Sequence, residues 1–164
     1  SANYTGCMIG YHAVPVIADA YLKGIKDYDV NKAFEAMKHS ASQYKLGLKS
    51  YKEFGFIPVE EESESVSKTL EYAYDDWCIA QFAKAQNDLK TYLEFSKRAQ
   101  SWGSDLYNRN KEFKSGNHQT RGLSALAMLS ILFRDFEGTD EWYSHSMRLL
   151  GEHMKKEINE DGFQ

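Results

Sequence analysis

Hydrophobic positions along the chain recur at three- and four-residue steps, segment after segment, and nowhere alternate as a strand would. Residues 11–23 carry Val14, Ile17, Ala18, Tyr21 and Leu22 at helical spacing, Pro15 is tolerable only near the first turn, and Gly24 ends the helix. Asp29 is suited to cap a second helix running through Phe34 and Met37 to about Ala41, with residues 43–51 a weaker helical stretch. The FGFIP run at 54–58 and the acidic EEESE run at 60–64 break the pattern. Ser65 or Ser67 then caps a strongly periodic helix through Leu70, Ala73, Tyr74 and Trp77 to about Ala85, and residues 89–102 form another around Leu93, Phe95, Ala99 and Trp102.

Residues 103–116 lose the apolar period and turn rich in Ser, Asn, Lys and Gly, which reads as a connection or a short, poorly defined helix. Residues 119–133 are apolar almost all round and predict an inner, well-covered helix. Thr139 caps the last helix, on which Tyr143, Met147, Leu150, Met154 and Ile158 form one stripe expected to face inward. The expected fold class is all-α, built of antiparallel helical hairpins. Periodicity alone does not choose between a bundle and a curved α/α layer.

Composition narrows the function more than the fold. A chain of 164 residues has room for one real core, and 42% hydrophobic against 27% charged residues excludes disorder. Lys and Arg number 20 against 24 Asp and Glu, and no stretch concentrates the basic residues as phosphate binding requires. Nucleic acid is therefore not an expected partner. No apolar run approaches the ~18 residues of a membrane span and residues 1–6 hold no signal-peptide core, so the chain reads as soluble. Cys7 and Cys78 are too few for a disulfide framework or a cysteine-built metal cluster and read as free thiols. The aromatic share, 14%, is heavy for a plain helical bundle.

Two stretches carry a specific likeness. The run GYHAVPVIADAYLKG at 10–24, followed much later by SVSKTLEYAYDDW at 65–77, resembles glycoside hydrolase family 92, the bacterial exo-acting α-mannosidases. Asp29 with residues 33–37, YKEFGFIP at 51–58 and KRAQ at 97–100 fit the same order, so the resemblance covers about residues 4–113. It implies part of an (α/α)6 toroid, left incomplete because about seven helices are too few to close one. It also implies calcium-dependent, inverting hydrolysis of α-1,2-mannosides, a glycan ligand, and a place in the bacterial periplasm or at the cell surface. In that family the general acid and paired bases lie beyond the matched segment, so the resemblance implies a chain lacking both. Residues 115–164, with SGNHQTRGLSALAM at 115–128, are similar instead to the toroid of heparinase II/III-type polysaccharide lyases. The domain division expected from these likenesses is 1–114 and 115–164, possibly packed as one domain. Another chain or a second copy is expected to cover the inner faces that an open toroid exposes. The alternatives are a non-enzymatic or chimeric helical module, or a lyase fragment.

The candidate site residues follow from spacing and from this likeness together. Glu71, Asp75, Cys78 and Phe82 step by four, three and four, so they share a helix face. Glu71, Asp75 and the neighbouring Asp76 are candidates to line a sugar pocket, with Trp77 or Tyr74 as its apolar platform; the other reading is a solvated acidic helix side. His12, at the start of the first helix, either reaches into a toroid mouth or caps that helix. Asn117 and His118 match the carboxylate-contacting pair that the lyase likeness implies, or Asn117 caps the following helix. His39, His145 and His153 read as surface or helix-edge residues. Inverting hydrolysis sets its two carboxyls roughly 6.5–9.5 Å apart on opposite sides of the bond. Glu71 and Asp75, one turn apart on one helix, cannot do that, so no catalytic residue is assigned.

Overall fold

The computed structural model describes residues 8–115, 117–134, 136 and 138–157, and of residues 117, 118 and 132 the backbone alone. Cys7 and Ile158 lie outside that set. Seven helices make up the described residues, with no strand among them: α1 (Ala13–Leu22), α2 (Val30–Ser42), α3 (Leu48–Phe54), α4 (Ser65–Ala85), α5 (Leu89–Arg109), α6 (Asn117–Leu132) and α7 (Thr139–Glu157). They divide into two compact units, Ser1–Trp102 and Gly103–Gln164, so the structural division falls inside α5. The division expected from the likenesses lies at 114/115, in the connection between α5 and α6.

In the first unit α4 is the element the others cover. Twelve of its side chains are buried, including Tyr72, Asp75, Asp76, Ile79, Phe82 and Ala83. Phe82 sits between Tyr21 of α1 (ring centroids 4.4 Å) and Phe34 of α2 (5.0 Å), with Val14, Ala18, Met37, Ala41 and Phe95 completing that core. Leu48, Tyr51, Ile57 and Tyr72 form a second cluster under α3 and the loop after it. That loop is tied down where the Ile57 N–H donates to Thr69 Oγ1 at 3.0 Å, while the Thr69 hydroxyl donates to the Ser65 carbonyl at 2.8 Å. Ser65 thus lies inside α4, and Glu64, at φ 56°, occupies the cap position without a side-chain bond.

Asp29 caps α2 as its sequence position predicts, accepting from the Lys32 N–H. The helix expected from residue 43 instead starts at Leu48, because Leu46 (φ 55°) and Gly47 (φ 78°) are left-handed and no α-helix runs through them.

The second unit corrects four expectations. Helix α5 runs on to Arg109 through Gly103, which acts as a contact surface rather than a breaker. A Cβ there would lie 2.4 Å from the Trp142 ring of α7. The Asp105–Arg109 ion pair at 2.7 Å supports this last stretch. Helix α6 is covered on the side of Leu123, Leu126, Ala127 and Leu129, but Met128 and Ile131 are 64% and 60% exposed, so it is not covered all round. Helix α7 buries Thr139, Trp142, Ser146, Leu149 and His153 rather than the Tyr143, Met147 and Met154 stripe. Apolar count favours the second face, but the first has shaped partners: the Gly103 backbone under Trp142, and Phe113 and Gln119 around His153. His153 is accordingly a core residue, 4% exposed, and not a surface one.

Gly103→Ala is expected to force Trp142 aside and destabilise the chain by about 1–3 kcal/mol, the range for overpacking a filled contact. Denaturant unfolding followed by near-UV circular dichroism checks this; an unchanged midpoint would mean that the ring does not rest on the glycine.

Candidate functional site

Helix α4 carries two adjacent acids that are both fully buried, Asp75 and Asp76. Successive residues on a helix point about 100° apart, so the two carboxylates face different neighbours. A buried carboxylate without partners costs several kcal/mol, and the site is organised by how each one is satisfied. The turn just before α1 serves both. The Tyr11 N–H donates to Asp75 Oδ2 at 2.8 Å and the Tyr11 hydroxyl donates to Asp76 Oδ1 at 2.6 Å, while the Tyr11 ring stacks on Tyr72 (5.4 Å, 15°). Arg98 of α5 answers Asp76 from the other side. Its Nη2 donates to Oδ1 at 3.2 Å, and its Nε stands 2.9 Å from Oδ2, outside hydrogen-bonding alignment, so that second contact is ionic only. The Nη2 also donates to the Ala41 carbonyl, tying α2 to the same guanidinium.

Gly10 lets this turn lie flat on α4. It adopts φ 89°, and a Cβ there would stand 2.9 Å from Asp75 Oδ2, 3.0 Å from the His12 ring and 3.2 Å from the Glu71 Cβ. The turn thereby delivers His12 to α4. Its Nδ1 is 3.9 Å from both Glu71 Oε2 and Asp75 Oδ1, with the His12 and Glu71 side chains part-exposed at 31% and 42% and Asp75 beneath them. Asp75 Oδ1 is buried and accepts no hydrogen bond among the described residues. A gap of 3.9 Å exceeds a direct hydrogen bond, and because Oδ1 is buried a hydroxyl can bridge the two atoms only when the part-exposed His12 ring swings outward.

Electrostatics follows the burial. Desolvation pushes the Asp75 carboxyl up to about 7; the Tyr11 N–H and His12 oppose the rise, while the Asp76 and Glu71 charges add to it. Asp76 is pushed up to about 6 by burial, against the pull of Arg98 and the hydroxyl of Tyr11. The Tyr11 and Tyr51 phenols lie well above their ordinary range, burial first and the Asp76 charge next. Burial also holds the Cys78 thiol up to about 12, which leaves it an inert packing group.

The structure therefore brings His12, Glu71 and Asp75 together and links Asp76 to them through Tyr11. For Asp75 the solvated-acid reading is excluded by its burial. Trp77 follows Asp75 by two residues, about 200° round the helix axis. It packs on the first core cluster and stacks with Tyr74 (6.1 Å, 19°), away from the His12 group. Asn117 and His118 begin α6 in the other unit, and their side chains lie outside the described residues. Tyr11 and Arg98 are the participants that residue-type reasoning passes over. The available signal was their place in the GYHA and KRAQ motifs. Calcium asks for six to eight oxygens. Glu71 and Asp75 supply two carboxylates, His12 supplies nitrogen, and no group of three or more His, Cys, Asp or Glu among the described residues is placed to hold an ion. This cluster does not fit calcium, and none of its chemistry is assigned to a metal.

A carboxyl raised on folding binds its proton more tightly in the native state. The stability contribution is thus fully present below the ordinary carboxylate value and is lost as pH rises through the native one. Between about pH 4 and pH 7 the chain should lose stability from Asp75 and Asp76, of the order of a few kcal/mol. Asp75→Asn, whose amide oxygen still accepts from Tyr11, is expected to flatten much of that slope in urea titrations run at several pH values. A slope unaltered by the substitution would refute the assignment.

The glycosyl hydrolase family 92 catalytic domain profile matches residues 1–126, a span that includes Asn117 and His118. Among solved structures, the family GH92 alpha-mannosidase BT3965 from Bacteroides thetaiotaomicron is 46% identical, with a TM-score of 0.62, over 70% of this chain and 16% of that one. The family GH92 inverting mannosidase BT2199 from Bacteroides thetaiotaomicron VPI-5482 is 36% identical, with a TM-score of 0.59, over 65% and 16%. An uncharacterized secreted glycosidase from Arthroderma benhamiae is 32% identical over 110 residues, 57% of this chain and 14% of that protein. The chain thus spans about a seventh of the length of these relatives. With an all-helical fold that aligns to two of the family's solved structures and a profile match across most of its length, the chain belongs to glycosyl hydrolase family 92, as part of the catalytic domain.

Proposed function

We propose that this chain is the glycan-contacting part of an α-mannosidase catalytic domain and that the His12, Glu71 and Asp75 group binds sugar hydroxyls. The observation that carries this reading is the buried, unpartnered Asp75 Oδ1 facing His12 beside Glu71. A sugar hydroxyl both donates and accepts, so it can give its proton to a carboxylate while accepting one from an imidazole. Tyr11 and Arg98 hold the geometry and do not themselves touch the ligand. The acid and base that would cleave the glycosidic bond belong to sequence outside this chain, as do the ligands of the calcium ion expected from the family. The same reading places the protein in the periplasm or at the surface of a bacterium, where mannosides arrive from outside. Further sequence of the domain, another chain or a second copy would complete the toroid.

Titrating α-1,2-mannobiose into the ¹⁵N-labelled chain tests the reading. Amide shifts are expected at residues 10–12 and 71–75, and His12→Ala or Glu71→Gln should weaken binding roughly tenfold, as befits one hydrogen bond to a charged group. With calcium added, no mannose should be released. Shifts confined to other residues, or affinity unaltered in both variants, would refute the proposed contacts, and turnover by the chain alone would refute the placing of the acid and base elsewhere.

A further inference from the structure

Helix α7 leaves outside the apolar stripe whose spacing is that of a face meant for burial. Tyr143, Met147 and Met154 are 43%, 49% and 65% exposed, and Leu150 between them is part-exposed. At 100° per residue the four fall within an arc of about 60°, beside the face that buries Trp142 and Leu149. On the other flank of the stripe, away from the core, lie Asp140, Ser144, Gly151 and Lys155. Among the described residues a Cβ on Gly151 would meet nothing within 4 Å, so the helix backbone there is open to close approach. The family profile ends at residue 126, ahead of α7, so the family match does not account for the stripe.

We propose that this face of α7 is an interface between two copies of the chain, joined as an antiparallel α7 pair about a two-fold axis. The stripe steps by four, three and four residues and so reads the same from either end. A second α7 laid antiparallel on it sets Tyr143 against Met154 of the second copy and Met147 against its Leu150. Charge matches in the same register. Asp140, in the first turn of one helix, comes opposite Lys155, in the last turn of the other, and the two-fold axis repeats that pair at the far end. Ser144 and Gly151 oppose each other between these charges, where small residues let the backbones close. A parallel pair would instead set aspartate against aspartate and lysine against lysine, with the helix dipoles aligned unfavourably. The helix has 19 residues, about 28 Å of length, and one pair of that size falls at or below the ~1,200 Å² at which stable interfaces begin, so the dimer is a weak one.

Sedimentation equilibrium of the full chain over roughly 5–500 µM reads the interface, since a low-area pair associates within that range. The average mass is expected to climb from 18.9 kDa toward twice that value. Met147→Asp, at an exposed position outside the core, should weaken association at least about tenfold with the helical circular dichroism unchanged. Asp140→Lys and Lys155→Asp should each weaken it about tenfold when studied alone. An equimolar mixture of those two variants should recover it, because in the mixed dimer both flank pairs again join opposite charges; a loss caused by misfolding would not be recovered on mixing. A wild-type chain that stays monomeric throughout would overturn the proposal and leave the face to further sequence of the domain or to another protein. Association that survives Met147→Asp, or charge reversals that have no effect or that mixing does not rescue, would overturn it as well.

Discussion

Two neighbouring carboxylates with no exposure to water, Asp75 and Asp76, are the constraint around which the first unit is arranged. Burial of such groups is unfavourable until partners arrive, and here the partners come from far along the chain. Tyr11 supplies a backbone N–H to one acid and a hydroxyl to the other, and Arg98 adds the opposite charge. A helix of small and aromatic residues could pack α1, α2 and α5 on α4 by area alone. The acids tie the packing to the turn at residues 10–12, because Tyr11 satisfies both from one position.

The same arrangement yields the candidate site as a by-product of its own stability. With Tyr11 pinned at both ends and Gly10 lying against α4, the next residue, His12, has to project beside Glu71 and over Asp75. Support and contact are thus divided between adjacent residues: Asp76, Arg98 and Tyr11 below, and His12, Glu71 and one oxygen of Asp75 above. A floor of this kind holds His12 and Glu71 beside Asp75 without a loop that would have to be ordered for the proposed binding of sugar hydroxyls. It also explains how a segment about a seventh as long as its relatives can present a defined polar cluster.

Much of the helical order was legible in the sequence, because three- and four-residue apolar steps and the Asp29 cap act locally. What escaped was set by tertiary contact. Gly103 reads as a helix breaker until Trp142 is seen resting on it, and the inward face of α7 depends on partners contributed by Gly103, Phe113 and Gln119. At the site, the convergence of Glu71 with Asp75 follows from spacing, and His12 from its place before a helix. Tyr11 and Arg98 were illegible by residue type, since their bonds to α4 span 64, 65 and 22 positions. Their motifs carried the only trace.

A double-mutant cycle between Tyr11→Phe and Asp76→Ala, with unfolding free energies measured in urea at neutral pH, tests most directly whether the buried acids hold the Gly10 to His12 turn. The Tyr11 hydroxyl bond to Asp76 predicts a coupling energy of about 1–3 kcal/mol. Strictly additive losses would contradict the account, since the turn would then be held in place by packing alone.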